Sequence, residues 1–219
     1  MHTHEPSHLA TPSTLPRTLR VATTDGLSLA VYVHGDHAHG AHGAHDKPCV
    51  LLVHGYPDTS EVYDGMVAAL SPRYRVVTYD SRGAGASDKP QLKAAYLLPQ
   101  LLADMHAVID AVSPKRPVHL VGHDWGSIQS WHAVTDPSLQ RRVASFTSIS
   151  GPSLDYAGAW MRKRARGVLH DPRGFARLLA QLARSSYIAA FVTPGLGEWV
   201  WHSGLADRLV GKHGPTGTL

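Results

Sequence analysis

Along the chain, short runs of β-branched and aliphatic residues alternate with longer stretches in which apolar positions recur every three or four residues. That alternation is how a parallel sheet covered by helices is written in one dimension, an α/β architecture. The strand-like runs are residues 19–24, 27–34, 49–53, 74–79, 118–121 and 143–149. The clearest helical stretch carries Leu98, Leu101, Leu102, Met105, Ile109 and Val112 on one stripe. Its periodicity predicts that this stripe covers a sheet while Asp104 and Asp110 face away from it.

The pattern changes at both ends. Residues 1–17 are polar and proline-rich and lack the apolar segment of a secretory signal, so a flexible tail is expected there. Residues 18–152 hold the strand-and-helix alternation, and residues 153–219 read as helices without strands, a separate small helical region. Nothing approaches the ~20 consecutive apolar residues of a membrane span, since Pro194, Gly195 and Gly197 interrupt the most apolar late stretch. Between the second and third strand-like runs lie His37, His39, His42 and His45, spaced by Gly and Ala. A metal is conceivable on so many imidazoles, but the segment offers no rigid frame, and an expanded hairpin loop without metal is the expectation.

Composition narrows the function classes. With 43% hydrophobic residues in 219, the chain has the material for a core and is neither disordered nor fibrous. Its formal charge of +4 does not argue for nucleic acid. Arg162, Lys163, Arg164, Arg166, Arg173, Arg177 and Arg184 make the late helices basic, yet no groove-reading motif accompanies them, and solvated arginines are expected. Cys49 is the single cysteine, which excludes an internal disulfide and suits a reducing, cytoplasmic setting.

Three segments carry the candidate chemistry. The apolar run from Val118 leads into Gly122-His123-Asp124-Trp125-Gly126 and then a helical pattern. A strand-to-helix turn this tight crowds the positions two before and two after its apex, so Gly122 and Gly126 leave Asp124 projecting alone. The competing reading is that Asp124 caps the helix beginning at Trp125. His54-Gly55-Tyr56-Pro57 follows the buried run Val50 to Val53, and its glycine lets backbone amides turn toward Asp124 as an oxyanion hole, with Pro57 a candidate cis proline. The third segment runs from Asp80 through Gly83, Gly85 and Ser87. It is not a dinucleotide loop, because Asp88 stands where the third glycine would be.

Together, in this order, the three segments resemble the α/β-hydrolase superfamily and within it the epoxide hydrolases, over about residues 19–200. His54-Gly55-Tyr56-Pro57 is similar to that family's HGxP, Gly83-x-Gly85-x-Ser87 to its GxGxS, and residues 122–126 to its GHDWG. The resemblance implies an α/β-hydrolase fold with a helical cap, Asp124 as nucleophile, and the Tyr56 and Trp125 amides as oxyanion hole. It makes His54 and Ser87 structural. Tyr187, in Ser186-Tyr187-Ile188, matches the cap tyrosine that protonates the epoxide oxygen; ordinary packing is the alternative there, and Tyr156 is the next candidate. The implied reaction attacks a strained epoxide carbon with the carboxylate, forms an alkyl-enzyme ester, and hydrolyses it to a vicinal diol. The partners would be a small apolar epoxide and water, with no cofactor.

The family pattern breaks downstream. Its relay acid, its His base and a second cap tyrosine follow the cap, and no strand-like run returns before Leu219. None of His132, His170, His202 and His213 stands in the setting a base requires. The C-terminal strands of the fold are therefore expected to be missing, the chain to be truncated after the cap region, and turnover by this chain alone to be lacking. Some epoxide-hydrolase-like proteins carry a short-chain dehydrogenase domain behind the hydrolase. An uncovered run 143–149 would also invite self-association. The rival readings are a haloalkane dehalogenase, against which Tyr56 argues, and a catalytically silent binding or regulatory fragment.

Overall fold

The computed structural model describes residues 16–35, 47–167 and 170–185, with Thr193, Trp199 and Ser203 besides. It divides into two compact units, Met1–Leu154 and Asp155–Leu219. The first holds a six-stranded sheet. Its strands are β1 (Arg17–Ala22), β2 (Ser28–His34), β3 (Cys49–Val53), β4 (Arg75–Tyr79), β5 (Val118–His123) and β6 (Val143–Ile149), in the order β1-β2-β4-β3-β5-β6. β1, β2 and β4 pair antiparallel, whereas β4, β3, β5 and β6 run parallel. Strand β1 lies two residues earlier than the apolar run 19–24, taking in Arg17 from the expected tail, and β5 runs two residues beyond 121. Arg17 and Thr18 pair with Val33 and Tyr32, and Gly122 and His123 pair with Ser148 and Ile149, so backbone register rather than side-chain type sets these ends. On its outer side β6 has no partner strand among the described residues.

Helices α1 (Asp64–Leu70), α2 (Leu98–Val112) and α3 (Trp125–Thr135) belong to the same unit. Because side chains alternate along a strand, β3 divides its apolar residues between the two faces. Leu51 and Val53 join Met105, Val108, Ile109 and Val112 of α2 in one cluster, while Val50 and Leu52 pack with Tyr63 and with Met66, Val67 and Leu70 of α1. All five β3 residues are buried, as a central parallel strand covered on both sides must be. At β6, the Phe146 ring packs nearly perpendicular to the Trp131 ring of α3, with centroids 5.0 Å apart.

One expectation about α2 is overturned. Asp110 is exposed, but Asp104 is buried, 2% exposed, among Met105, Val108 and Ile109. The reason lies outside the helix. Arg82, in the turn after β4, reaches Asp104 with Nε and Nη2, each at 2.6 Å, and Asp25 with Nη1 and Nη2 at 2.8 and 3.1 Å. Nη1 also donates to Ala95 O at 2.8 Å, so all five guanidinium N–H groups are used. Burial pushes the Asp104 carboxyl up, yet both its oxygens accept from Arg82, which identifies the carboxylate form.

These carboxylates make stability fall in acid. The Arg82 hydrogen bonds, followed by that from Thr23, hold Asp25 down to about 2. Burial pushes Asp80 up, but backbone donors from Ala86 and Ser60 outweigh it and leave the group below its ordinary value. A carboxylate whose folded pKa is depressed stabilises the protein fully above its unfolded value, about 4, and this contribution disappears as pH falls through the folded value. Asp104, shifted upward, opposes the trend in part. Urea denaturation is therefore expected to show a midpoint dropping between about pH 5 and pH 2.5, with a shallower drop in Asp25→Asn. A midpoint constant over that range would contradict the ionic roles given to Asp25 and Asp80.

In the second unit, α4 (Leu154–Arg166) leads to α5 (Pro172–Arg184). Asp171 caps α5 by accepting the Gly174 N–H at 2.8 Å, and it pairs with Arg164, whose guanidinium lies over the Trp160 ring. No helix among the described residues is long and apolar enough to cross a membrane.

Candidate active site

Asp124 sits between β5 and α3 with φ 53° and ψ −121°, a conformation that costs a non-glycine residue about 1–3 kcal/mol and persists only where its surroundings enforce it. Here the enforcement is visible. The Asp124 N–H donates to Ile149 O at 2.9 Å, and its carbonyl accepts from the Ser127 and Ile128 N–H groups at 3.0 and 3.1 Å. The glycines expected around it leave no room for a side chain. A Cβ at Gly126 would stand 1.9 Å from Val53 O, and one at Gly122 would stand 2.6 Å from Gly126 O. The carboxylate does not cap α3, which removes the capping alternative. Its Oδ1 instead accepts the Tyr56 N–H at 3.0 Å. The Trp125 N–H makes no hydrogen bond to it among the described residues.

The segment after β3 is shaped for this approach. A Cβ at Gly55 would come within 2.4 Å of Asp124 Oδ1, so the carboxylate occupies the space that glycine leaves. The Tyr56–Pro57 peptide bond is cis. His54 is buried, its Nε2 accepts the Ser81 N–H at 2.9 Å, and its Nδ1 lies 2.8 Å from Gly55 O. A backbone N–H can only donate, so Nδ1 carries the proton and the single imidazole lone pair is occupied. His123 points a buried Nδ1 at no partner among the described residues.

The turn after β4 is tied down from several sides. Gly83 and Gly85 both have positive φ, at 87° and 46°. Buried Ser87 donates to Asp80 O at 2.5 Å and accepts the Ala30 N–H at 2.8 Å, joining the turn to β2. Asp80, whose role the local pattern did not disclose, accepts N–H groups from Ser60 and Ala86 and the Tyr32 hydroxyl.

Between these segments lies a cavity of about 670 Å³, within the range of small-molecule sites. Tyr56, Tyr96, Leu98, Leu101 and Trp125 form apolar walls, and Gln129 adds a polar one. Tyr56 and Trp125 are 56% and 49% exposed, unusually open for such large rings. Asp124 is not itself a wall residue, but the neighbours on either side of its carboxylate, Gly55, Tyr56 and Trp125, line the cavity. Leu98 and Leu101, expected to cover the sheet, line this cavity instead. Tyr187, His202, His213 and the histidine-rich segment 37–45 lie outside the described residues, while Tyr156 is 78% exposed on α4. Among the described residues no group of His, Cys, Asp and Glu could hold a metal ion.

Comparison with known proteins agrees with this geometry. Residues 48–199 match the family described as the alpha/beta hydrolase fold. A Mycobacterium tuberculosis protein named "Probable oxidoreductase EphD" is 41% identical over 202 residues, which cover 92% of this chain and 33% of that protein. Epoxide hydrolase A of the same organism is 36% identical over 142 residues, 64% of this chain and 40% of its own length. A solved structure of a mutant Vigna radiata epoxide hydrolase matches with a TM-score of 0.55 and 30% identity, over 64% of this chain and 40% of that one. The chain thus spans between a third and two fifths of the length of these relatives. The sheet order, the strained turn at Asp124 and these matches lead to one family: the chain belongs to the alpha/beta hydrolase fold family and is epoxide-hydrolase-like within it.

Proposed function

We propose that this protein is a hydrolase that opens an epoxide by attack of the Asp124 carboxylate, through a covalent ester. The observation that carries this reading is the Asp124 carboxylate held at a strained turn with Oδ1 on the Tyr56 N–H. With Oδ1 so anchored, Oδ2 is the attacking oxygen. Its electron pair forms the new C–O bond, the epoxide C–O bond breaks, and the departing oxygen takes a proton from the phenol of Tyr187. A phenol titrating near pH 10 is neutral at pH 7 and can donate to an incipient alkoxide.

In the second step water adds to the ester carbonyl, and Oδ1 becomes the oxyanion that the Tyr56 and Trp125 amides stabilise. Collapse releases a vicinal diol and regenerates the carboxylate. This step needs a base to take the proton from water. Among the described residues His54 is the one histidine on the cavity wall, and its lone pair is committed to Ser81, so no base is assigned within them. The helical region 153–219 is assigned to the cap. Incubation with styrene oxide followed by intact-mass and peptide analysis tests the proposal. The expected result is an added mass of one substrate on the peptide containing Asp124, and an adduct confined to other residues would overturn it.

A further inference from the structure

The buried face of α3 carries three polar side chains besides small apolar ones: Ser127, Gln129 and Ser130. Two are satisfied internally, Ser127 Oγ by Ser148 and Gly151 O, and Ser130 Oγ by Gly126 O. Gln129 is different. It is 4% exposed, it lies on the cavity wall one helical turn beyond Trp125, and its carboxamide makes no hydrogen bond among the described residues. Its amide atoms are open only toward the cavity, where Leu or Met would fill the same volume but offer no hydrogen-bonding group. What a glutamine adds at this place is a donor and an acceptor turned toward whatever occupies the cavity.

We infer that Gln129 is a substrate-binding residue whose carboxamide hydrogen-bonds a neutral polar group, a hydroxyl or carbonyl, carried by the epoxide. The preferred substrate is then a functionalised epoxide, not a bare hydrocarbon one. The rest of the wall argues for neutrality. Arg82 spends all five N–H groups on Asp25, Asp104 and Ala95, so it offers nothing to an anionic substrate. Asp58 on the wall and Asp124 beside it would repel a carboxylate.

This inference rests on the hydrolase reading for its substrate class, and the experiment separates the two. Rates of adduct formation are measured for styrene oxide and its hydroxymethyl-substituted analogue, in the unaltered full chain and in Gln129→Leu and Gln129→Met. The unaltered chain is expected to favour the hydroxymethyl epoxide. In both variants that preference should fall by about tenfold or more, because the lost partner penalises only the polar substrate. An unchanged ratio overturns the assignment, and so does an equal slowing of both epoxides, which would place Gln129 in the framework of the site. If neither epoxide alkylates the unaltered chain, the hydrolase reading has failed. Gln129 is then judged by NMR titration with benzyl alcohol against toluene. Preference for the alcohol that both variants lose upholds the polar subsite; equal binding of the two overturns it.

Discussion

Asp124→Asn is expected to abolish covalent capture of styrene oxide. The amide has no carboxylate lone pair to offer a strained carbon, while its carbonyl oxygen can still accept the Tyr56 N–H that Asp124 Oδ1 accepts at 3.0 Å. Asparagine is nearly isosteric with aspartate and places no greater demand on the backbone, so the turn at φ 53° should survive. The loss is therefore chemical rather than structural. Alkylation should slow by at least about a thousandfold, about 4 kcal/mol of barrier, with the thermal unfolding midpoint nearly unchanged. Time-resolved intact-mass spectrometry reads the rate directly. Adduct accumulating in Asp124→Asn as fast as in the unaltered chain would move the nucleophile elsewhere.

Arg82→Leu carries the largest expected effect on stability. The side chain is fully buried, and removing it leaves Asp104, itself only 3% exposed at the side chain, as an uncompensated buried charge. Breaking such a pair from one side typically costs about 3–5 kcal/mol, against a total folding stability of about 5–15 kcal/mol. Urea denaturation should show that loss. Adding Asp104→Leu to Arg82→Leu should restore much of it, because the orphaned charge is gone and an apolar pair fills the space. A double variant no more stable than Arg82→Leu would mean that the penalty comes from the guanidinium's packing and its bonds to Asp25 and Ala95. The same cluster reaches the cavity, since Arg82 stands on its wall next to Gly83.

The relation between local pattern and final structure follows from these residues. Strands β3 and β4 are legible from their β-branched composition alone, because a chain that must bury both faces of a strand has few other ways to be written. The glycines at 122 and 126 are legible for a steric reason: a strand that turns into a helix within one residue brings backbone to within contact of backbone, as the 1.9 and 2.6 Å approaches of their absent Cβ atoms display. Family resemblance reaches further than either, because HGxP, GxGxS and GHDWG are contiguous segments.

What local pattern misses is whatever depends on partners far apart in the chain. Helical periodicity sends Asp104 to solvent, since it weighs a charge without knowing that Arg82, 22 residues earlier, arrives to meet it. The same limit hides Asp25, 57 residues from Arg82, and leaves Asp80 an unremarked loop residue. It also leaves Asp124 open between cap and projecting carboxylate, a choice that the Tyr56 amide, 68 residues away, decides. Gln129 reads as an ordinary polar position on a helix until the cavity is known to lie beside it. Sequence by itself therefore determined the elements, the tight turn and the family, all of which are local. Tertiary structure alone decided which charges are buried together, which carboxylate oxygen is anchored and which amide is left facing the cavity, because those are properties of chain segments brought together by folding.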